Sequence, residues 1–71
     1  MKIINCGYVT YLITAHHVAT IVYSIKNGQP TATIYYDGQH GEIIEATNGQ
    51  TMRYAIMCAR YTIKMKEYFN R

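Results

Sequence analysis

Alternation of apolar and polar residues with a period of two dominates the first part of the chain. Across residues 8–26 the odd positions outside the segment 15–17 are all apolar, whereas the even positions are rich in Thr and Ser. This period indicates strands with one buried face. We expect two strands joined by a three-residue turn at 15–17. The predicted cross-strand pairs are Ile13 with Ala19, Tyr11 with Ile21 and Val9 with Tyr23.

A second hairpin is predicted by the dipeptide Asn27-Gly28, because a type I′ turn requires positive φ at both central residues. Pairing Lys26 with Gln29 keeps one apolar face across both strands. Pro30 then occupies a position that donates no ladder hydrogen bond on that side. The pairs on the apolar face are Ala19 with Tyr36, Ile21 with Ile34 and Tyr23 with Ala32.

The segment after the second hairpin predicts one more strand and a long helix. Residues 37–41 are typical of a five-residue turn, and residues 42–46 form a short fourth strand with Ile44 and Ala46 on the core face. Thr47 and Gln50 fit a capping box, and no Pro or later Gly interrupts the helix predicted from Asn48 to about Phe69. The predicted fold class is α+β. It is a single domain over residues 1–71, with an antiparallel three- to four-stranded β-meander packed against one C-terminal α-helix.

The predicted helix is apolar over about twice the width that one small sheet needs. At about 100° per residue five charged side chains lie within about 60° of one another and form one narrow stripe, which consists of Arg53, Arg60, Lys64, Glu67 and Arg71. One apolar group holds Met52, Ile56, Ala59 and Ile63. A second group holds Tyr54, Met57, Tyr61, Met65 and Tyr68, with the small residues Ala55, Cys58 and Thr62 between the two.

Two interpretations of this wide apolar surface stay open. In the first, small residues let the helix sink towards the sheet while Met and Tyr side chains fold down on both flanks. In the second, the Tyr and Met residues are an interface with a second copy of the chain or with a foreign protein. The adjacent cations Arg53, Arg60 and Lys64 are either a solvated face or contacts for phosphates or for an acidic protein surface.

Composition narrows the class of protein. The chain has 71 residues, 49% of them hydrophobic and 15% charged, which predicts one folded domain rather than a disordered chain. A net charge of +3 permits an acidic partner without requiring one. Cys6 and Cys58 lack the density or spacing of a disulfide scaffold. Without a signal-peptide or membrane-span pattern, we expect a cytoplasmic protein with reduced thiols and no membrane association.

The chemistry needed for catalysis is missing from the predicted layout. Ser24, the only serine, lies in a strand with no predicted histidine nearby, and the three histidines lack the usual zinc-ligand spacings. We therefore expect no enzyme activity, no cofactor and no metal site. Recognition of DNA or RNA by the sheet is disfavoured, because its exposed face offers Thr, Val, Ser and Tyr but few cations.

The chain resembles the small phage-encoded inhibitors of bacterial defence systems, the anti-CRISPR proteins above all. The resemblance covers its whole organisation: a short solitary domain, a preference for residues with AT-rich codons, absent catalytic groups and many tyrosines. It implies a non-enzymatic inhibitor that covers a surface of a host protein complex. Partner or dimer contacts are then expected at Tyr54, Met57, Tyr61, Met65 and Tyr68, with acidic-partner or phosphate contacts at Arg53, Arg60 and Lys64. The alternative is a small DNA- or RNA-binding regulator that uses the same basic stripe.

Overall fold

Five antiparallel strands and one C-terminal helix form the fold in a computed structural model, which describes residues 1–45 and 51–69. The strands lie in chain order across one sheet, so the sheet is a meander. Their bounds are Lys2–Cys6 (β1), Val9–Ile13 (β2), Val18–Lys26 (β3), Gln29–Tyr36 (β4) and Gln39–Glu45 (β5), and the helix α1 is Thr51–Phe69. The predicted α+β class and order of elements are confirmed, with five strands rather than three or four.

Strand β1 is the element that the sequence pattern did not predict. It pairs antiparallel with β2 and forms one edge of the sheet. Its two isoleucines, Ile3 and Ile4, are adjacent, so they point to opposite faces and give no alternating pattern. The turn into β2 has Gly7 at φ 68°, the positive angle that the first central residue of a type II′ turn requires.

The β3–β4 hairpin matches its prediction in turn and in register. Asn27 and Gly28 have φ of 52° and 75°, as a type I′ turn demands, and Lys26 pairs with Gln29. The further pairs Ile21 with Ile34, Tyr23 with Ala32 and Ala19 with Tyr36 are all present. This hairpin supplies the centre of the core, since Ile21, Ala32 and Ile34 are fully buried.

The predicted register between β2 and β3 was wrong by one residue. The connection has four residues rather than three, so Leu12 pairs with Ala19 and Thr10 pairs with Ile21. Thr14 explains the longer loop, because its backbone amide donates to the His17 carbonyl at 2.9 Å and its hydroxyl accepts from the His17 amide at 3.1 Å. A shift of one residue exchanges the two faces of a strand. The core face of β2 therefore carries Thr10 and Leu12, and the side opposite the core carries Val9, Tyr11 and Ile13.

The predicted five-residue turn at 37–41 is also corrected. Asp37 and Gly38 form a two-residue turn with φ of 53° and 83°, so β5 begins at Gln39. The register then shifts between Ile34 and Tyr35, which leaves Gly41 as an extra residue in β5. A Cβ atom at Gly41 would lie 2.3 Å from the Tyr36 ring, so glycine lets that ring lie across the strand.

The helix packs on one side of the sheet against β3, β4 and β5. Its buried residues recur every fourth position and are mostly small, which lets the helix approach the strands closely. They are Thr51, Ala55, Ala59 and Ile63. From the sheet, the core takes Leu12, Ala19, Ile21, Ala32, Ile34 and Ile44.

The helix ends at Phe69, as predicted. The capping box at Thr47 and Gln50, the predicted helix start at Asn48, the core position of Ala46 and the place of Arg71 in the charged stripe lie outside the described residues.

Candidate binding surface on the helix

The helix presents an aromatic and methionine surface away from the sheet. All five residues predicted as interface contacts are exposed, with 38–69% of each residue accessible. Their spacing of three and four positions gathers them into one band about 140° around the helix from the buried residues. We call this band the Tyr–Met stripe: Tyr54, Met57, Tyr61, Met65 and Tyr68.

The structure agrees with only one part of the first interpretation of the wide apolar surface. Ala55 and Ala59 do let the helix lie close to the sheet. The Tyr–Met stripe, however, does not fold down on the sheet, because its side chains remain open to solvent. Scattered exposed apolar residues are ordinary in proteins, but five large ones in one band form a contiguous patch. Contiguous apolar patches are frequent at the interaction surfaces of proteins.

A groove borders the Tyr–Met stripe and combines apolar side chains with cations. Arg53, Arg60 and Lys64 are all exposed, and Arg53 and Lys64 lie about 16 Å apart along the helix axis. No acidic side chain is among the described residues that line the groove. Its lining consists of Met52, Arg53, Ile56, Met57, Arg60, Tyr61 and Lys64. The groove can therefore bind apolar and anionic groups side by side.

Glu67, the single acidic residue in the described helix, is engaged elsewhere. Its carboxylate accepts hydrogen bonds from the Thr14 hydroxyl at 2.7 Å and the His16 amide at 3.2 Å, and it also contacts the His16 ring. The hydrogen bonds from Thr14 and His16 lower the pKa of Glu67 to about 2. Sequence spacing placed Glu67 in the basic stripe, and nothing in the sequence marked its contact with a turn 51 residues away.

The second histidine of the β2–β3 connection contacts a different carboxylate. The His17 ring nitrogen Nδ1 lies 2.7 Å from Asp37 Oδ2, and Asp37 Oδ1 accepts from the Val18 amide at 2.9 Å. The hydrogen bond from Val18, followed by that from His17, lowers the pKa of Asp37. Adjacent histidines thus tie one turn to the helix and to the β4–β5 turn. Within residues 1–45 and 51–69, no three His, Cys, Asp or Glu residues cluster as metal ligands.

Both cysteines are free thiols. Cys58 is half-buried on the helix, and this burial, with the nearby Glu42 charge, raises the pKa of its thiol. A raised pKa lowers the thiolate fraction at neutral pH, so Cys58 is a poor nucleophile. Cys6 is exposed on the edge strand β1.

No protein-family model, curated protein or solved structure matches the chain. The fold and the surface chemistry are therefore the basis for assigning a class. No helix within the described ranges is both long and apolar enough to cross a bilayer.

Proposed function

We propose that this chain is a small non-enzymatic binding protein whose helix docks on another protein, with inhibition of a host defence complex as its role. The observation that carries the proposal is the Tyr–Met stripe beside the basic groove on the outward side of α1. Tyr, Met and Arg are enriched in interface cores, where they combine large contact area with adaptable shape. Leaving such side chains in water is unfavourable, and a partner would remove them from it.

Charge favours a foreign partner over a second copy at this surface. A two-fold contact through the helix would bring two sets of Arg53, Arg60 and Lys64 into one interface. Glu67, the acidic residue of the helix, could neutralise these cations, but it is already bound to Thr14 and His16. Like charges placed together cost free energy, whereas an acidic partner would gain it. The proposed target surface is therefore both apolar and acidic.

The positive charge of the groove also limits which surface of a host complex the protein could block. A protein surface that binds nucleic acid is itself basic and would repel the groove cations. We therefore propose that the target is an acidic contact surface within a host complex, such as one between its protein subunits. Binding there would block the complex by occupying a protein–protein contact.

The proposal is tested by capture from a nuclease-treated lysate of the cells that carry the gene, followed by mass spectrometry. We expect one protein complex to be recovered in stoichiometric amount. Tyr61→Arg and Met57→Glu should each weaken its binding at least tenfold. Lys26→Glu is the matched control, since it removes an exposed cation at the β3–β4 turn and should leave binding unchanged. Retained capture by both helix variants would show that the stripe is not the interface.

A second candidate function, binding of DNA or RNA, rests on the same three exposed cations. Neutralising about three phosphates predicts an affinity that falls about 40-fold between about 50 and about 200 mM salt. Fluorescence anisotropy with labelled single- and double-stranded oligonucleotides measures this directly. Binding with that salt dependence, abolished by Arg60→Glu, would favour this candidate over protein docking.

A further inference from the structure

The side of the sheet opposite the helix carries no Lys, Arg, Asp or Glu over its centre. Two neighbouring cross-strand rows, set by the strand register, make up this region, which we call the outer sheet face. The first row consists of Ile4, Tyr11, Thr20, Tyr35 and His40. The second row consists of Cys6, Val9, Val22, Thr33 and Ile43.

This face is far more apolar than an open sheet face needs to be. Antiparallel sheets with one solvated side usually alternate apolar residues inward with polar residues outward. Here the two central rows contain seven apolar or aromatic residues, two threonines, one histidine and no Lys, Arg, Asp or Glu. Ile43 is 49% exposed and the flanking Ile13 is 36% exposed, so apolar area remains open to solvent.

Charges stand at two opposite corners of this face. Lys2 lies on β1, one row beyond the first central row, and Glu45 lies on β5, one row beyond the second. Four strand intervals separate them by about 19 Å across the sheet, and three row steps separate them by about 20 Å along the strands. The line joining Lys2 to Glu45 therefore runs at about 45° to the strands.

We propose that the outer sheet face binds a second copy of the chain, with the strands of the two sheets crossing at about 90°. A two-fold axis between the sheets and perpendicular to the Lys2–Glu45 line places Lys2 of each copy over Glu45 of the other. Orthogonal crossing is one of the two established ways in which sheets pack face to face. Val9 and Tyr35 lie near this axis, so each meets its own counterpart.

A second copy suits this face because a surface with no Lys, Arg, Asp or Glu at its centre can meet itself without repulsion between such charges. The helix surface lacks this property, since it carries three cations. Pairing through the sheet edges is opposed by Lys2 on β1 and by the bulge at Gly41 in β5, both of which discourage strand addition.

The available area sets the expected strength of the dimer. Together with the flanking rows that carry Lys2 and Glu45, the outer sheet face measures roughly 20 Å by 20 Å, and side-chain relief raises the area buried by two copies to about 1,000 Å². Specific interfaces begin near that size, and small ones belong to weak complexes. We expect a dissociation constant in the micromolar range.

Sedimentation equilibrium of the full chain from about 1 to about 500 µM tests the proposal. We expect a reversible dimer that Thr20→Glu or Thr33→Glu weakens at least tenfold, because each places a charge in the dry centre. Asn5→Glu is the control, since it adds the same charge on the helix side of β1. Tyr61→Arg should leave the dimer intact, which separates this proposal from the function of the helix. Circular dichroism confirms that each variant is folded.

The corner charges test the orientation of the two copies. Lys2→Glu alone should weaken the dimer about three- to tenfold, and the double variant Lys2→Glu/Glu45→Lys should restore it. A chain that stays monomeric at about 500 µM, or a dimer broken by Tyr61→Arg but not by Thr20→Glu, would overturn the proposal. A dimer that the double variant fails to restore would overturn the orthogonal arrangement.

Discussion

The two sides of the sheet differ in what covers them rather than in how apolar they are. The helix side holds small and branched residues such as Ala19 and Ile21, which are completely buried under α1. The outer sheet face holds Val22, Tyr11 and similar side chains at intermediate exposure. Apolar character alone therefore does not identify the core of this protein. The core is identified by the position of the helix.

Strand β2 shows the difference most sharply. Its outward residues Val9, Tyr11 and Ile13 are more apolar as a group than its core-facing pair Thr10 and Leu12. A monomer would gain more by burying the first set, so the outward set is the surface that a second copy would cover.

Stability should change most when a core residue of β3 is shortened, and its neighbour on the opposite side of the sheet gives a direct comparison. Ile21→Ala should lower the free energy of unfolding by about 2–5 kcal/mol, because it leaves a cavity in a fully packed core. Val22→Ala, the matched control on the outer sheet face, should cost about 1 kcal/mol or less. Urea unfolding at low micromolar concentration measures both. Equal losses at the two positions would mean that the outer face is as tightly packed as the core.

The sequence predicted correctly those elements for which the local residues are compatible with only one backbone arrangement. Asn27-Gly28 fixes its turn through backbone conformation, and the pattern of β3 and β4 then allows only one register. The absence of Pro and of Gly after position 49 likewise predicted a helix that extends to about Phe69. Helical spacing also placed the five residues of the Tyr–Met stripe in one band, but it left open whether their side chains fold down on the sheet or stay exposed.

The predictions were wrong in two segments whose local sequence is compatible with two different backbone arrangements. Both faces of β2 carry apolar residues, so the register depended on the Thr14 hydrogen bonds to His17, which the alternation does not reveal. The Asp37-Gly38 turn was predicted to be too long because Gly41 follows it and is also a typical turn residue. In the structure Gly41 lies in β5 and makes room for the Tyr36 ring. Contacts of this kind depend on tertiary structure, and a single sequence does not specify them.

Two threonines on opposite sides of the sheet should affect stability by a smaller amount. Thr10 is fully buried on the helix side, and its hydroxyl has no hydrogen-bond partner among the described residues. Thr10→Val keeps the shape and removes that polar group, so we expect a gain of about 1 kcal/mol in the free energy of unfolding. Thr20→Val on the outer sheet face should change it by less than about 0.5 kcal/mol. Destabilisation by Thr10→Val, measured by urea unfolding, would reveal that the hydroxyl is satisfied after all.

The smallest effect concerns the contact that ties the end of the helix to the β2–β3 connection. The pKa of Glu67 is about 2 in the folded protein, below the ordinary value of 4.5, because Thr14 and His16 donate hydrogen bonds to its carboxylate. Because the pKa is lowered, the contact stabilises the folded state at pH values above the pKa of the unfolded chain. This contribution is lost as pH falls from about 4.5 towards 2. Because the carboxylate is at the surface, solvent and salt screen the contact.

Thermal melts at pH 7 and pH 3 should therefore show a larger loss of Tm for the wild type than for Glu67→Gln, which cannot titrate. Glu45→Gln, tested below the dimer concentration, is the control, since it removes an exposed carboxylate on β5 and leaves this contact intact. It should lose as much Tm on acidification as the wild type does. If Glu67→Gln does so as well, the helix is held over its side of the sheet by packing alone, and the hydrogen bonds to Thr14 and His16 contribute nothing to keeping that side covered.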